Sequence, residues 1–222
     1  MNAVAQALGG GIYPIGFAAR LAHLQPKTAR RWIEGYDYTH KGERRRSQPI
    51  TYLGHPGGRK AEVVDFEQLL TLLLVRTFHR KGLSLQTIKK AAIRAREKYG
   101  KPNPFITKVF RTDGNKVLID LDEQERVPGK ERHLVDVLSD QHEFRRIVEP
   151  SLFKDVVFID ERAGQWWPLD PQHSVVLDPG KQFGAPHAAG TGIRTDVVAQ
   201  VVAAEGRTIT QLPPPRTGMA SR

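Results

Sequence analysis

Lys27, Thr28, Arg30 and Arg31 fall within five consecutive residues, and Arg44, Arg45 and Arg46 follow in an unbroken run. Side chains of these types act on phosphates and base edges. A guanidinium reaches two acceptors of guanine at once, and an ammonium meets a phosphate as a point charge. A threonine hydroxyl serves either a base or the backbone. The chemistry implied is duplex recognition, with Thr28, Arg30 and Arg31 at or near base edges. Lys27 and the Arg44–Arg46 run would hold phosphates and set register.

Catalytic arrangements are not apparent. The eight histidines, among them His133, His142, His173 and His187, show no metal-ligand spacing of the H-E-x-x-H kind. Ser139 and Ser174 lie in no G-x-S-x-G turn. Asp155, Asp160 and Asp170 are scattered, whereas a magnesium nuclease gathers acids at the ends of parallel strands. The expectation is a non-enzyme without metal or cofactor. Trp166 and Trp167 suit a core or interface anchor better than a ligand cage.

The cations need a scaffold, and local signals supply one. Pro26 suits a first helical position and Gly35 a C-terminal stop. Between them Ala29, Trp32 and Ile33 share one face, leaving the cations on the other. Phe17, Ala18, Leu21, Ala22 and Leu24 make a short core-facing helix before it. Aromatic and β-branched residues from 36 to 52 flank a polar centre, KGERRRSQP, which reads as a β-hairpin wing. Residues 13–46 therefore read as helix, turn, helix and basic loop, the order that lays one helix in a groove.

Asp65 and Gln68 form a capping box for a helix to about Arg80, and Ser84 caps another with Leu85, Ile88, Ala91, Ala92, Ala95 and Tyr99 inward. Lys89, Lys90, Arg94, Arg96 and Lys98 line its outer face, either against flanking phosphates or simply solvated. The segment at residues 54–60, GHPGGRK, lacks the spacing and the Ser or Thr of a phosphate loop, so it reads as a connector. ITKVFRT-DG-NKVLIDL predicts a second hairpin with Asp113-Gly114 at its turn. Residues 134–149 resume helical spacing, strands are expected at 156–159 and 174–177, and a small helix at 196–204 has Thr195 as its cap. The remaining TITQLPPPRTGMASR lacks periodicity and reads as a disordered tail.

Charge divides the chain. The formal net charge is +10, yet residues 1–111 hold 21 Lys or Arg against 7 Asp or Glu, and residues 112–222 hold 13 against 17. A nucleic-acid-binding half joined to a half with another task is the reading. The absence of cysteine excludes disulfides, thiolate zinc sites and cysteine nucleophiles, and favours a cytoplasmic protein. The longest apolar run, residues 69–75, is too short for a membrane span.

The order AARLAHLQPKTARRWIEG, then a wing, then RKGLSLQTIKKA resembles a MerR-like winged helix-turn-helix. NPFITKVFRTDGNKVLID fits VapB-type antitoxins that carry this domain. WWPLD, VVLDPGKQFGAP and TGIRTDVVAQVVAAEG resemble the C-terminal family called "domain of unknown function 433". The resemblance covers residues 13–206, and the last residues do not match the two further helices usual there. It implies an α+β, mainly helical protein. A DNA-binding domain would span 1–121, a linker 122–133, a smaller α/β dimerisation or toxin-binding domain 134–206, and a tail 207–222. It also implies partners: operator DNA, a PIN-like ribonuclease toxin and a second copy in a homodimer. Arg194, Arg207 and Arg216 are candidates to enter a carboxylate-rich toxin pocket. The rival readings are a MerR-like ligand-sensing regulator without a toxin, and an RNA-binding protein supported by bulk basicity alone.

Overall fold

The computed structural model describes residues 10–51, 62–80, 83–108, 110, 155–160, 162–168 and 173–205. The architecture is α+β, with helices joined by two-stranded antiparallel sheets. Strand β1 (Ile12–Pro14) runs straight into helix α1 (Ile15–Leu21), and α2 (Pro26–Glu34) follows a turn. That turn closes on His23, whose φ of 50° is left-handed, with Leu24 N–H donating to the Ala19 carbonyl at 2.8 Å. Strands β2 (Tyr36–His40) and β3 (Glu43–Ser47) form the hairpin. Lys41 and Gly42, with φ of 51° and 81°, supply the tight turn that matches strand twist.

β4 (Val63–Asp65) pairs antiparallel with β1, placing Val64 opposite Tyr13. It leads into α3 (Phe66–Arg80) through the expected capping box: Gln68 N–H donates to the Asp65 carboxylate at 2.7 Å, and Asp65 N–H to Gln68 Oε1 at 3.0 Å. Such a cap contributes about 1 kcal/mol. α4 (Leu85–Tyr99) starts at Ser84, whose hydroxyl accepts from Thr87 N–H at 3.0 Å, and stops at a left-handed Gly100.

The central layer is apolar on several sides. α3 buries Leu69, Leu70, Leu72, Leu74, Val75 and Phe78, far more than one stripe, because α1, α2 and α4 all pack near it. Ala29, Trp32 and Ile33 of α2 are buried as the spacing predicts, and Trp32 meets His79 edge-on at 6.4 Å.

The predicted hairpin after Ile106 is overturned on its first strand. Pro104–Ile106 is a 3-10 turn, and Lys108 and Phe110 are helical. Pro104 opens that turn, and the Thr107 hydroxyl accepts from Phe110 N–H at 3.2 Å, as an N-cap does. Phe105 and Phe110 pack their rings 4.8 Å apart in the core, so the β-branched and aromatic residues are used for burial rather than pairing. The Asp113-Gly114 turn, residues 54–60, Asp170, the 122–133 linker, the 134–149 helix and the 207–222 tail lie outside the described residues.

β5 (Val156–Ile159) and β6 (Arg162–Trp166) form a bulged hairpin, and β7 (Val175–Val176) pairs with β8 (His187–Ala188). Trp166 exchanges backbone hydrogen bonds with Leu177 at 3.0 and 2.9 Å, and both side chains join the core. Contacts tie these strands to the N-terminal elements. Arg162 donates to Glu67 at 2.7 Å, and the loop ending in Gly184 lies against Gly11 and the Tyr13 ring. α5 (Thr195–Ala204) begins one residue before the predicted start. Thr195 is therefore its first residue rather than its cap, and its hydroxyl donates back to the Pro186 carbonyl. Of the α5 side chains only Val202 is buried; Val197 and Val201 are 45% and 48% exposed, and nearby in sequence Phe183 is 70% exposed.

Candidate nucleic-acid interface

At 100° per residue, the three buried residues of α2 place Lys27, Arg31 and Glu34 on the line facing away from the core. Lys27 and Arg31 are exposed; Thr28 and Arg30 are half-buried on the two flanks. Arg30 Nε sits 4.0 Å from Glu34 Oε1, an ion pair too long to be a hydrogen bond. The predicted reading residues thus share a helix, but only Lys27 and Arg31 point straight out.

The hairpin sorts the three consecutive arginines by pleat. Asp37 lies opposite Arg46, Tyr38 opposite Arg45 and Thr39 opposite Arg44. Side chains alternate, so Asp37, Thr39, Arg44 and Arg46 share one face and Tyr36, Tyr38, Arg45 and Ser47 the other. Asp37 holds both arginines of its face, accepting from Arg44 at 2.7 Å and Arg46 at 3.4 Å. The Arg44 hydrogen bond, and then the two positive charges, hold the Asp37 carboxyl below the usual carboxylate range. Arg46 also donates to the Glu34 carbonyl at 3.0 Å, which tethers the hairpin to the end of α2. Arg45 pairs with Glu43 at 3.1 Å.

On the opposite face the hairpin meets both α2 and α4. Arg31 stacks its guanidinium 3.8 Å from the centre of the Tyr36 ring, and Lys89 Nζ lies 5.2 Å from the same centre. Lys89 also donates to the Ser47 hydroxyl. Burial is the main reason its ammonium is pushed below the ordinary lysine range, and the Arg31 charge acts in the same direction. Gly35 joins helix to hairpin with φ 75° and ψ −174°, a conformation that strongly favours glycine.

Lys89 and Tyr36 were not singled out by the spacing of residues 27–46. The basic stripe of α4 was the one signal, and the structure divides it. Arg96 turns inward, donating to the Ile50 carbonyl and, at 3.0 Å, to Pro102. Lys89 faces the hairpin. Of the other candidates, Arg194 makes a bidentate pair with Asp196 at 3.0 and 2.6 Å, while Arg207 and Arg216 lie outside the described residues. No cluster of three metal-ligating side chains occurs among the described residues. None of their helices is long and apolar enough to cross a membrane.

No family model matches the chain. Its fold is similar to that in the crystal structure of Rv2018 from Mycobacterium tuberculosis. The TM-score is 0.64 at 25% identity, covering 88% of this chain and 87% of that one. The sequence is also 29% identical over 198 residues to a Mycobacterium tuberculosis protein named "Putative antitoxin VapB45", covering 82% of this chain and 79% of the relative.

Proposed function

We propose that this chain is the antitoxin of a type II toxin-antitoxin pair, binding a PIN-like ribonuclease toxin and repressing its own operon. The antitoxin role is supported by the likeness to a VapB-type antitoxin along most of the chain. Residues 1–121 bind DNA in this reading, as a MerR-like winged helix-turn-helix. One observation carries that half: α2 turns Lys27 and Arg31 away from the core, beside a hairpin bearing Arg44, Arg45 and Arg46. Helix α2 enters the major groove, with Thr28, Arg30 and Arg31 at or near base edges, while Lys27 and the wing arginines hold phosphates. One helix reads few base pairs, so a homodimer on an inverted repeat is expected.

Residues 134–206 meet the toxin and the second copy. Support comes from the apolar side chains left exposed on and near α5, which suit a protein partner. Arg194, Arg207 and Arg216 are the cations offered to the acidic pocket of a magnesium nuclease, Arg194 by exchanging Asp196 for the toxin's carboxylates.

Two measurements test the reading. The chain should bind the duplex upstream of its own gene more tightly than a scrambled duplex. Log affinity should fall with log salt at a slope near −5 if about six phosphates are neutralised. Co-expression with the neighbouring gene product should yield a complex in which ribonuclease activity is suppressed. Equal affinity for both duplexes removes the repressor half, and full ribonuclease activity in the mixture removes the antitoxin half.

A further inference from the structure

Two cations from different elements lie against one aromatic ring. Arg31 comes from α2 and Lys89 from α4, and both lie within 5.2 Å of the Tyr36 centre. Neither is ion-paired among the described residues, although Asp37, Glu34 and Glu43 pair with arginines nearby. Converging like charges repel, and the ring quadrupole offsets only part of that. An anion held by both cations would offset that repulsion. The Ser47 hydroxyl, which accepts from Lys89, keeps its own proton for such a ligand.

We propose that Arg31, Lys89 and Ser47, arranged around the Tyr36 ring, form a seat for one backbone phosphate of duplex DNA at the junction of helix and wing. The proposal rests on the DNA-binding reading and changes the role of Arg31 within it. Stacked on Tyr36 and turned toward the wing, Arg31 grips the backbone rather than reading a base. Lys89 adds a third element to the interface, from a helix 42 residues beyond Ser47 in the chain. Its tie to Ser47 also fixes the wing at the height where the phosphate sits.

The test uses the full chain, a fluorescent duplex from upstream of its own gene, a scrambled duplex, and a salt titration by anisotropy. Lys89→Gln keeps a donor toward Ser47 but loses the charge; Lys89→Arg keeps the charge. Arg31→Gln and the double variant complete the set, with Arg45→Gln as a wing reference. Each single Gln variant at the seat should weaken both duplexes alike, about fivefold near physiological salt. The double variant should flatten the salt slope by about 0.9, the loss of one phosphate and not two. Lys89→Arg should restore the slope.

An unchanged slope in the double variant, with affinity still reduced, would mean that Lys89 only braces the wing. Discrimination lost in Arg31→Gln would return Arg31 to base reading. If Arg45→Gln weakens binding while the seat variants do not, the seat fails and the DNA reading stands. Failure of the wild-type chain to bind either duplex overturns both. Melting curves of every variant within a few degrees of wild type keep these outcomes separate from unfolding.

Discussion

Replacing Gly35 by alanine tests the coupling of helix to wing most directly. At φ 75° and ψ −174° an alanine carries backbone strain of about 1–3 kcal/mol. Its Cβ would also lie 2.2 Å from the Ser47 carbonyl oxygen, 3.2 Å from Pro49 N and 3.3 Å from Gln48 C. All three are backbone atoms and cannot swing aside as a side-chain tip does. Relief requires the end of β3 to retreat by roughly 1 Å, which strains the Tyr36–Ser47 pair and draws Ser47 from Lys89. The summed cost is about 2–4 kcal/mol, a large part of the roughly 5–15 kcal/mol that holds an ordinary domain together.

Gly42→Ala is the matched control. It too has positive φ, 81°, but an added Cβ there meets nothing within 4 Å, so it should cost only about 1 kcal/mol. Urea unfolding followed by tryptophan fluorescence at 25 °C measures both variants. The folded Gly35→Ala protein should also bind duplex DNA more weakly than Gly42→Ala. A Gly35→Ala midpoint equivalent to within about 0.5 kcal/mol of the Gly42→Ala value would refute the argument that the backbone clash separates them.

Three further substitutions follow from the same geometry. Asp37→Asn frees Arg44 and Arg46 from their shared carboxylate and removes a negative charge from the wing. It should tighten binding to scrambled duplex severalfold and steepen the salt slope, while unchanged affinity would show that this face of the wing stays off the DNA. Asp65 is raised above the usual carboxylate range, chiefly by burial, so its folded form favours the proton. Its contribution is fully present below the unfolded value of about 3.9 and is lost as pH rises through the higher folded value. Asp65→Asn, which can still cap α3, should abolish that loss in urea titrations run across this window; identical pH profiles would sink the claim. The Tyr13 hydroxyl is buried without a hydrogen-bond partner among the described residues. Tyr13→Phe should therefore be neutral or stabilising by up to about 1 kcal/mol, and it should partly rescue Gly184→Ala, whose Cβ would sit 2.5 Å from that oxygen. Additive effects of the pair in thermal melts would argue against the contact.

What could be read from the residues was local. Pro26, Gly35, Asp65, Gln68 and Ser84 act on backbone groups within a turn of themselves, so their types disclose helix ends. The inward faces of α2 and α4 follow from 3.6-residue spacing for the same reason. Long-range pairing left no comparable trace. β1 and β4 are three-residue strands, too short for alternation to show, and their sequence separation hides them. The run after Ile106 looks like a strand until Phe105 finds Phe110, because the same side chains satisfy either pairing or burial. In the candidate interface the cations were legible as types, but not their allegiances. A register in which Asp37 faces Arg46 decides which arginines are neutralised, and only folding brings Lys89 to Tyr36.

The β1–β4 pairing also sets a schedule for synthesis. Tyr13 finds its strand partner at Val64, and the core above α2 is closed by α3, so the cationic helix and the α1 it packs on emerge from the ribosome well before α3 can cover them. Until roughly residue 80 has cleared the exit tunnel, the nascent chain presents an unpaired strand and a loose amphipathic helix. The contact of Gly184 with Tyr13 waits longer still. A newly made chain therefore acquires its cationic surface late, and a product truncated before α3 carries the cations of α2 and the hairpin but lacks the fold that aims them.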